Sequence, residues 1–183
     1  EWVAGIFDRV REARAAGYLP IVVTNQAGIG RGYYGEPAFL AYSAWMHERF
    51  AEQGAPLLAT YWCPHHGEAG LGEYRVDCAC RKPAPGMLLA AARAFDLDLP
   101  GSLLVGDKAS DLDAGRGSLV KLHDGSRDPR QVGRFEPRFR HFREVRERRA
   151  QALQRAELFG DRAEAFARGR VVGEAGAQAV QRE

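Results

Sequence analysis

The sequence has no run of about 18 apolar residues, so no segment qualifies as a membrane-spanning helix. Its first residues lack the basic and apolar regions of a secretory signal, and a cytoplasmic protein is the expectation. Cysteine is scarce. There are three, an odd number that cannot pair completely within one chain, which argues against a disulfide framework. Internal repeats and strict low-complexity tracts are absent. Net charge is small too: 26 Lys+Arg against 24 Asp+Glu leave +2, too little to argue for nucleic acid or an anionic membrane as partner. That average hides a division. Residues 1–125 carry 12 basic and 15 acidic side chains, a net of −3, whereas 126–183 carry 14 and 9, a net of +5, with every basic residue an Arg. With 183 residues, 45% of them hydrophobic, the chain fits one α/β domain over 1–125 followed by an Arg-rich, helical extension over 126–183.

Hydrophobic periodicity supplies the elements. Val3, Ile6, Phe7, Val10 and Ala13 recur at helical spacing and Gly17 suits the C′ position, predicting a helix over 3–16 with one buried face. Leu19 to Thr24 is an apolar, β-branched run ending in polar Asn25 and Gln26, as a buried parallel strand should be. A glycine-rich turn over 28–35 leads to a helix over 36–53, with Pro37 near its start and Phe39, Tyr42, Met46 and Phe50 on one side. Strands are expected at 57–62, 102–105 and 119–122, and helices from Pro85 to Phe95 and from Ala109 to Gly115. Strands alternating with helices imply an open parallel sheet with helices on both faces, a Rossmann-like α/β fold. Ligands then bind beyond the carboxyl ends of the strands, where Thr24, Asn25, Gln26, Asp107 and Lys108 would converge on one rim.

The connection over 63–83 is too long to lack structure in a small domain unless something staples it. It holds Cys63-Pro64-His65 and Cys78-Ala79-Cys80. Three thiolates and one imidazole in two tight pairs make a closed tetrahedral zinc set, expected to be structural because it leaves no position for water. His66 could substitute for His65, but as the neighbour it is expected to face solvent or substrate. At the end of the first predicted strand, Thr24-Asn25-Gln26 and the glycines from Gly28 to Gly32 offer a hydroxyl, amides and backbone N–H groups able to approach a phosphate. Lys82 is a cation on the stapled loop that could balance phosphoryl charge. Asp107 and Asp111 stand four apart where a strand passes into a helix, as hard oxygen ligands for Mg²⁺ or as a helix cap and a first-turn charge.

Together, VTNQAGIGRGYY (23–34), CPHH (63–66), CACRKPAPGM (78–87) and VGDKASD (105–111) resemble the haloacid dehalogenase-like phosphohydrolases, and more closely the bacterial D-glycero-D-manno-heptose 1,7-bisphosphate phosphatases. The resemblance covers about residues 1–122. It implies that Thr24 and Lys82 are catalytic, with Thr24 stabilising the transferring phosphoryl group and Lys82 as its cation. Asn25, Gln26, Ala27, Arg81, Lys82 and Lys108 would bind a sugar bisphosphate, Asp107 would hold Mg²⁺, and Cys63, His65, Cys78 and Cys80 would hold zinc. Histidinol-phosphate phosphatases are similar but usually have a shorter segment between the zinc-ligand pairs, and the twelve residues from His66 to Asp77 favour the heptose branch. Polynucleotide 3′-phosphatases share the TNQ-G-I-G-R-G stretch without the zinc ligands. A third alternative is a non-catalytic phosphate-binding remnant.

The D-x-D-G-T segment that supplies the nucleophilic aspartate in such enzymes does not occur in this sequence, and Asp8 has none of its flanking residues. The resemblance implies that this segment forms a central first strand between the strands at 19–24 and 102–106. The chain opens at Glu1 rather than Met and is inside an amphipathic pattern by Val3, as expected of a chain that begins after that segment. The chain by itself is therefore expected to be inactive and to fold poorly, since covalent transfer has no first step without a nucleophile and two strand edges would be unpaired. With no apolar run long enough to span one, no membrane partner is expected, and a monomer is the expectation.

Overall fold

Two aromatic rings decide where the first helix begins. In a computed structural model, which describes residues 2–118 and the backbone of 121–124, Trp2 stacks on Trp45 with ring centroids 5.4 Å apart and meets Phe7 and Phe50 edge-on. This contact draws the start of the chain across a later helix, so α1 spans Ile6–Ala15 rather than 3–16. Val3 is exposed, while Ile6, Phe7, Val10 and Ala13 are half-buried opposite exposed Asp8, Arg11 and Glu12, so the expected apolar face is covered in part and no residue of α1 is fully buried. Its C-terminus follows the sequence signal. Gly17 takes φ +90° while its N–H bonds the Arg14 carbonyl and the Tyr18 N–H bonds that of Ala13, the paired bonds of a Schellman ending.

β1, Ile21–Asn25, leads into a single helical turn, α2, Ala27–Gly30, inside the stretch where the sequence suggested only a turn. α3, Glu36–Glu52, carries Pro37 in its first turn as expected. It buries Phe39 and Phe50 but leaves Tyr42 exposed, where the ring lies against that of Trp45. β2, Ala59–Cys63, pairs parallel with β1 in the register Ile21↔Ala59 to Asn25↔Cys63. After the long connection, which holds a short 3₁₀ turn at Gly72–Tyr74, come α4, Gly86–Phe95, β3, Leu103–Gly106, and α5, Ala109–Gly117. β4 occupies Lys121–Asp124, two residues later than predicted, and pairs parallel with β3 from Leu103↔Lys121 to Gly106↔Asp124. The parallel pairing and the alternation of strand and helix are those of a Rossmann-like α/β fold.

The sheet is divided. Its ladders form two two-stranded parallel sheets, β1-β2 and β3-β4, and β1 is not bonded to β3 among the described residues. Val105, an apolar residue within β3, is 50% exposed. α4 packs on β2, while α5 packs on β3 and β4. On the first sheet, Ile29, Phe39 and Trp62 form a buried cluster with Leu40 and Tyr74 packed against it. Met87, Ala90 and Ala91 are the buried face of α4. No helix among the described residues is long and apolar enough to cross a membrane. The predicted extension over 126–183 lies outside the described residues.

Candidate active site

β1 ends in a clamp. The Asn25 side chain donates from Nδ2 to the Lys82 carbonyl at 2.9 Å and accepts the Lys82 N–H on Oδ1 at 3.0 Å, fixing a residue 57 positions later against the strand end. Held there, Lys82 donates from Nζ to the Val23 carbonyl at 2.7 Å and pairs with Asp111 Oδ1 at 2.6 Å. Both partners of that ion pair are largely buried, at 11% and 8% side-chain exposure, where charges attract strongly and are costly to separate. Asp111 also accepts the Lys108 N–H on Oδ2 at 3.1 Å, which closes the first turn of α5. Beside the clamp, Gln26 donates from Nε2 to Thr24 Oγ1 at 3.0 Å and accepts the Tyr34 hydroxyl on Oε1 at 2.6 Å. With its oxygen engaged in this way, the Thr24 hydroxyl keeps its hydrogen for a ligand oxygen.

The Gln26 N–H bonds the Cys63 carbonyl at 2.7 Å, so this rim is continuous with the cysteine cluster at the end of β2. The ligand atoms of Cys63, His65, Cys78 and Cys80 all lie within 4.8 Å of one another. Sulfur–sulfur distances are 3.5, 3.3 and 3.1 Å, and His65 Nδ1 is 3.6 Å from Cys63 and 3.5 Å from Cys80. A tetrahedral ion with metal–sulfur bonds of about 2.3 Å holds sulfurs about 3.7 Å apart, close to this spacing. Electrostatics give the same answer. Without a cation only one thiol ionises readily: hydrogen bonding from Cys63 leads in pulling Cys80 down to about 5. The Cys80 sulfur in turn heads the causes that push Cys63 up, and burial leads for Cys78. A divalent ion would stabilise all three thiolates together, so the donor set fits a metal.

The other predicted residues divide. Arg81 donates to the His65 carbonyl at 3.0 Å and so belongs to the cysteine loop. Ala27 opens α2, and its carbonyl accepts the Arg31 N–H at 3.0 Å. Asp107 and Lys108 are exposed at the junction of β3 and α5. Asp111, which the sequence offered with Asp107 as a Mg²⁺ ligand or a first-turn charge, is the carboxylate that reaches Lys82. The spacing of Asp107 and Asp111 carried that signal without saying which of the two turns inward. Tyr34 was missed as well, because its hold on Gln26 depends on how the glycine-rich turn folds back.

Residues 79–118 match the family model described as HAD-hydrolase-like. A D-glycero-alpha-D-manno-heptose-1,7-bisphosphate 7-phosphatase of Burkholderia mallei is 60% identical over 95 residues, 52% of this chain and 50% of that protein. A D-glycero-beta-D-manno-heptose-1,7-bisphosphate 7-phosphatase of Haemophilus influenzae is 47% identical over 123 residues, 67% and 66% of the two chains. Among solved structures, D,D-heptose 1.7-bisphosphate phosphatase from B. bronchiseptica, complexed with magnesium and phosphate, matches with a TM-score of 0.58 and 31% identity over 73% of this chain and 74% of that one. The chain belongs to the HAD-like phosphatase family. This HAD-like chain spans half to two thirds of the length of those two curated relatives. The family-model match takes in Cys80, Lys82 and Asp111, and so links the cysteine loop, the buried ion pair and α5 in one segment.

Proposed function

We propose that this chain carries the phosphate-binding machinery of a Mg²⁺-dependent phosphatase that hydrolyses D-glycero-D-manno-heptose 1,7-bisphosphate to the heptose monophosphate, in the making of surface-polysaccharide precursors. The observation that carries the reading is the convergence of Thr24, Asn25, Lys82 and Asp111 at the carboxyl end of β1. In this reading Thr24 donates its hydroxyl to the transferring phosphoryl group and the Lys82 ammonium balances the charge developing on its oxygens. Asn25 holds Lys82 in place through two backbone bonds, and Gln26 and Ala27 line the substrate side of the rim. Arg81 and Lys108 recognise the substrate from the cysteine loop and the start of α5. Asp107, exposed beside buried Asp111, would hold Mg²⁺, which when bound neutralises phosphate charge. Cys63, His65, Cys78 and Cys80 would hold a structural zinc that keeps Arg81 and Lys82 on the rim. Phosphoryl transfer goes to an aspartate of a D-x-D-G-T segment, a segment this sequence does not contain, and water then cleaves the aspartyl-phosphate. The reading includes a cytoplasmic monomer without a nucleic-acid partner.

The test is Mg²⁺-dependent binding of the heptose bisphosphate by the chain, followed by its hydrolysis once a D-x-D-G-T segment is supplied, with histidinol phosphate as competitor. Binding and hydrolysis should both be lost on Lys82→Ala. Preference for histidinol phosphate, or hydrolysis that survives Lys82→Ala, would sink the reading.

A further inference from the structure

Tyr34 ends a chain of hydrogen bonds that begins on the candidate phosphate rim. Its hydroxyl donates to Gln26 Oε1 at 2.6 Å, and Gln26 Nε2 donates to Thr24 Oγ1 at 3.0 Å. Among the described residues neither hydroxyl makes another hydrogen bond. The amide that joins them has unlike ends, because its nitrogen only donates and its oxygen only accepts. Thr24 therefore accepts, Tyr34 donates, and the Thr24 hydrogen is left for a third group.

A phosphate oxygen at Thr24 fixes the same order from the other end. An anionic oxygen accepts, so Thr24 must give it the one hydrogen it has. The Thr24 oxygen then has to face the amide nitrogen, which turns Oε1 toward the phenol, and the phenol hydrogen completes the chain. With the amide turned by half a rotation, Thr24 gives its hydrogen to Gln26 and presents only lone pairs to the anion.

The local backbone brings Tyr34 to this place. Gly32, at φ +75°, reverses the chain after α2, and the Tyr33 N–H closes the turn on the Gly28 carbonyl at 2.8 Å. The Tyr34 ring then lies along Gly28, where a Cβ would overlap Cε1, Cζ and the hydroxyl oxygen. Two glycines that the sequence offered as approaches to a phosphate thus make the seat of the phenol. Of the two adjacent tyrosines, Tyr33 is 74% exposed and Tyr34 39%, so Tyr34 is the one folded back onto the rim.

We propose that Tyr34 is a positioning residue for phosphate: its phenol holds the Gln26 amide with nitrogen toward Thr24, so that the Thr24 hydroxyl donates to the phosphoryl oxygen. This role rests on the reading of Thr24 as a phosphate ligand and extends it to a residue that acts only through Gln26. Without the phenol, Gln26 Oε1 loses its donor and the amide turns to take the Thr24 hydrogen.

Inorganic phosphate, titrated into the zinc-loaded full chain with Mg²⁺ present, is the probe. Tyr34→Phe should weaken its binding about threefold to tenfold, the effect of one neutral hydrogen bond, at an unchanged urea midpoint. Thr24→Val should weaken it at least as much, and Tyr34→Phe added to Thr24→Val should have no further effect, since the phenol acts through the Thr24 hydrogen. A spectroscopic signature follows the chain directly. In protein labelled at tyrosine ¹³Cζ, with Tyr34→Phe to assign the resonance, saturating phosphate should move the Tyr34 signal in the wild type and leave it in place in Gln26→Ala, where the link is cut. Affinity unchanged in Tyr34→Phe, losses that add in the double variant, or a Tyr34 signal that still moves in Gln26→Ala overturns the positioning role. Failure of the underlying reading looks different: the wild type then binds no phosphate, or Thr24→Val binds it equally well, and the role of Tyr34 falls with it.

Discussion

A side chain at position 30 would have no room. A Cβ built on Gly30 overlaps the Pro64 carbonyl oxygen and lies 3.1 Å from Tyr74 Cβ, so α2 can approach the cysteine loop only because this residue has no side chain. The obstacle on one side is backbone and cannot swing away. Gly30→Ala should therefore lower stability by about 1–3 kcal/mol, read as a fall in the urea midpoint at constant m-value; an alanine variant as stable as the parent would mean that α2 and the loop do not meet as described. At this scale residue types were readable before the structure: the Lys82 cation and the Cys63, His65, Cys78 and Cys80 donors follow from chemistry and local spacing. Their pairings were not. That Asp111 rather than Asp107 turns inward depends on how α5 leaves β3, and the hold of Asn25 on the Lys82 backbone depends on an approach of segments 57 residues apart, which no side-chain pattern records.

Elements were legible wherever a local signal ended them. Gly17 closes α1 and Pro37 lies in the first turn of α3, but α1 starts late because Trp2 finds Trp45, a contact between segments more than forty residues apart. The 63–80 connection is the element whose order depends most on a ligand, since the regular structure described within it after β2 is one short 3₁₀ turn. Zinc should bind there at one equivalent. Replacing both Cys78 and Cys80 by Ser should abolish it and lower the thermal midpoint, with metal content measured after dialysis; a full equivalent retained in that double variant would mean the zinc lies elsewhere. α3 and β2 offer a second handle. His47 on α3 lies 2.8 Å from the Thr60 hydroxyl of β2, and burial holds its imidazole below the usual value. The unfolded chain then takes up a proton near pH 6.5 before the folded one does, so this contribution to stability is complete above about pH 6.5 and is lost as pH falls through the lower folded value. His47→Gln should flatten the loss of stability between about pH 7 and pH 5, and an unchanged slope would assign the acid sensitivity to other groups.

Across the whole molecule, what needs explaining is how two separate parallel pairs hold together. Local periodicity predicted parallel strands with helices between them, but pairing order depends on long-range contacts that no window of sequence contains, and the division into β1-β2 and β3-β4 is visible only in the structure. Lys82 is a direct tie between the halves: it donates to the Val23 carbonyl of β1 and pairs with Asp111 of α5, which packs on β3 and β4. Removing the cation leaves a buried carboxylate with no counter-charge. Lys82→Met should therefore cost about 3–5 kcal/mol, more than the loss of an exposed pair would. The charge can be removed from the other partner while its cap is retained, because asparagine at position 111 still offers an oxygen to the Lys108 N–H. Lys82→Met combined with Asp111→Asn should recover a large part of the stability lost by Lys82→Met alone, measured as urea midpoints of the four proteins of the cycle. Phosphate binding should not recover with it, because the ammonium that balances phosphoryl charge is absent from both Met variants. If the double variant is no more stable than Lys82→Met, the stranded charge of Asp111 is not what destabilises the single variant, and the tie acts through the Val23 carbonyl instead.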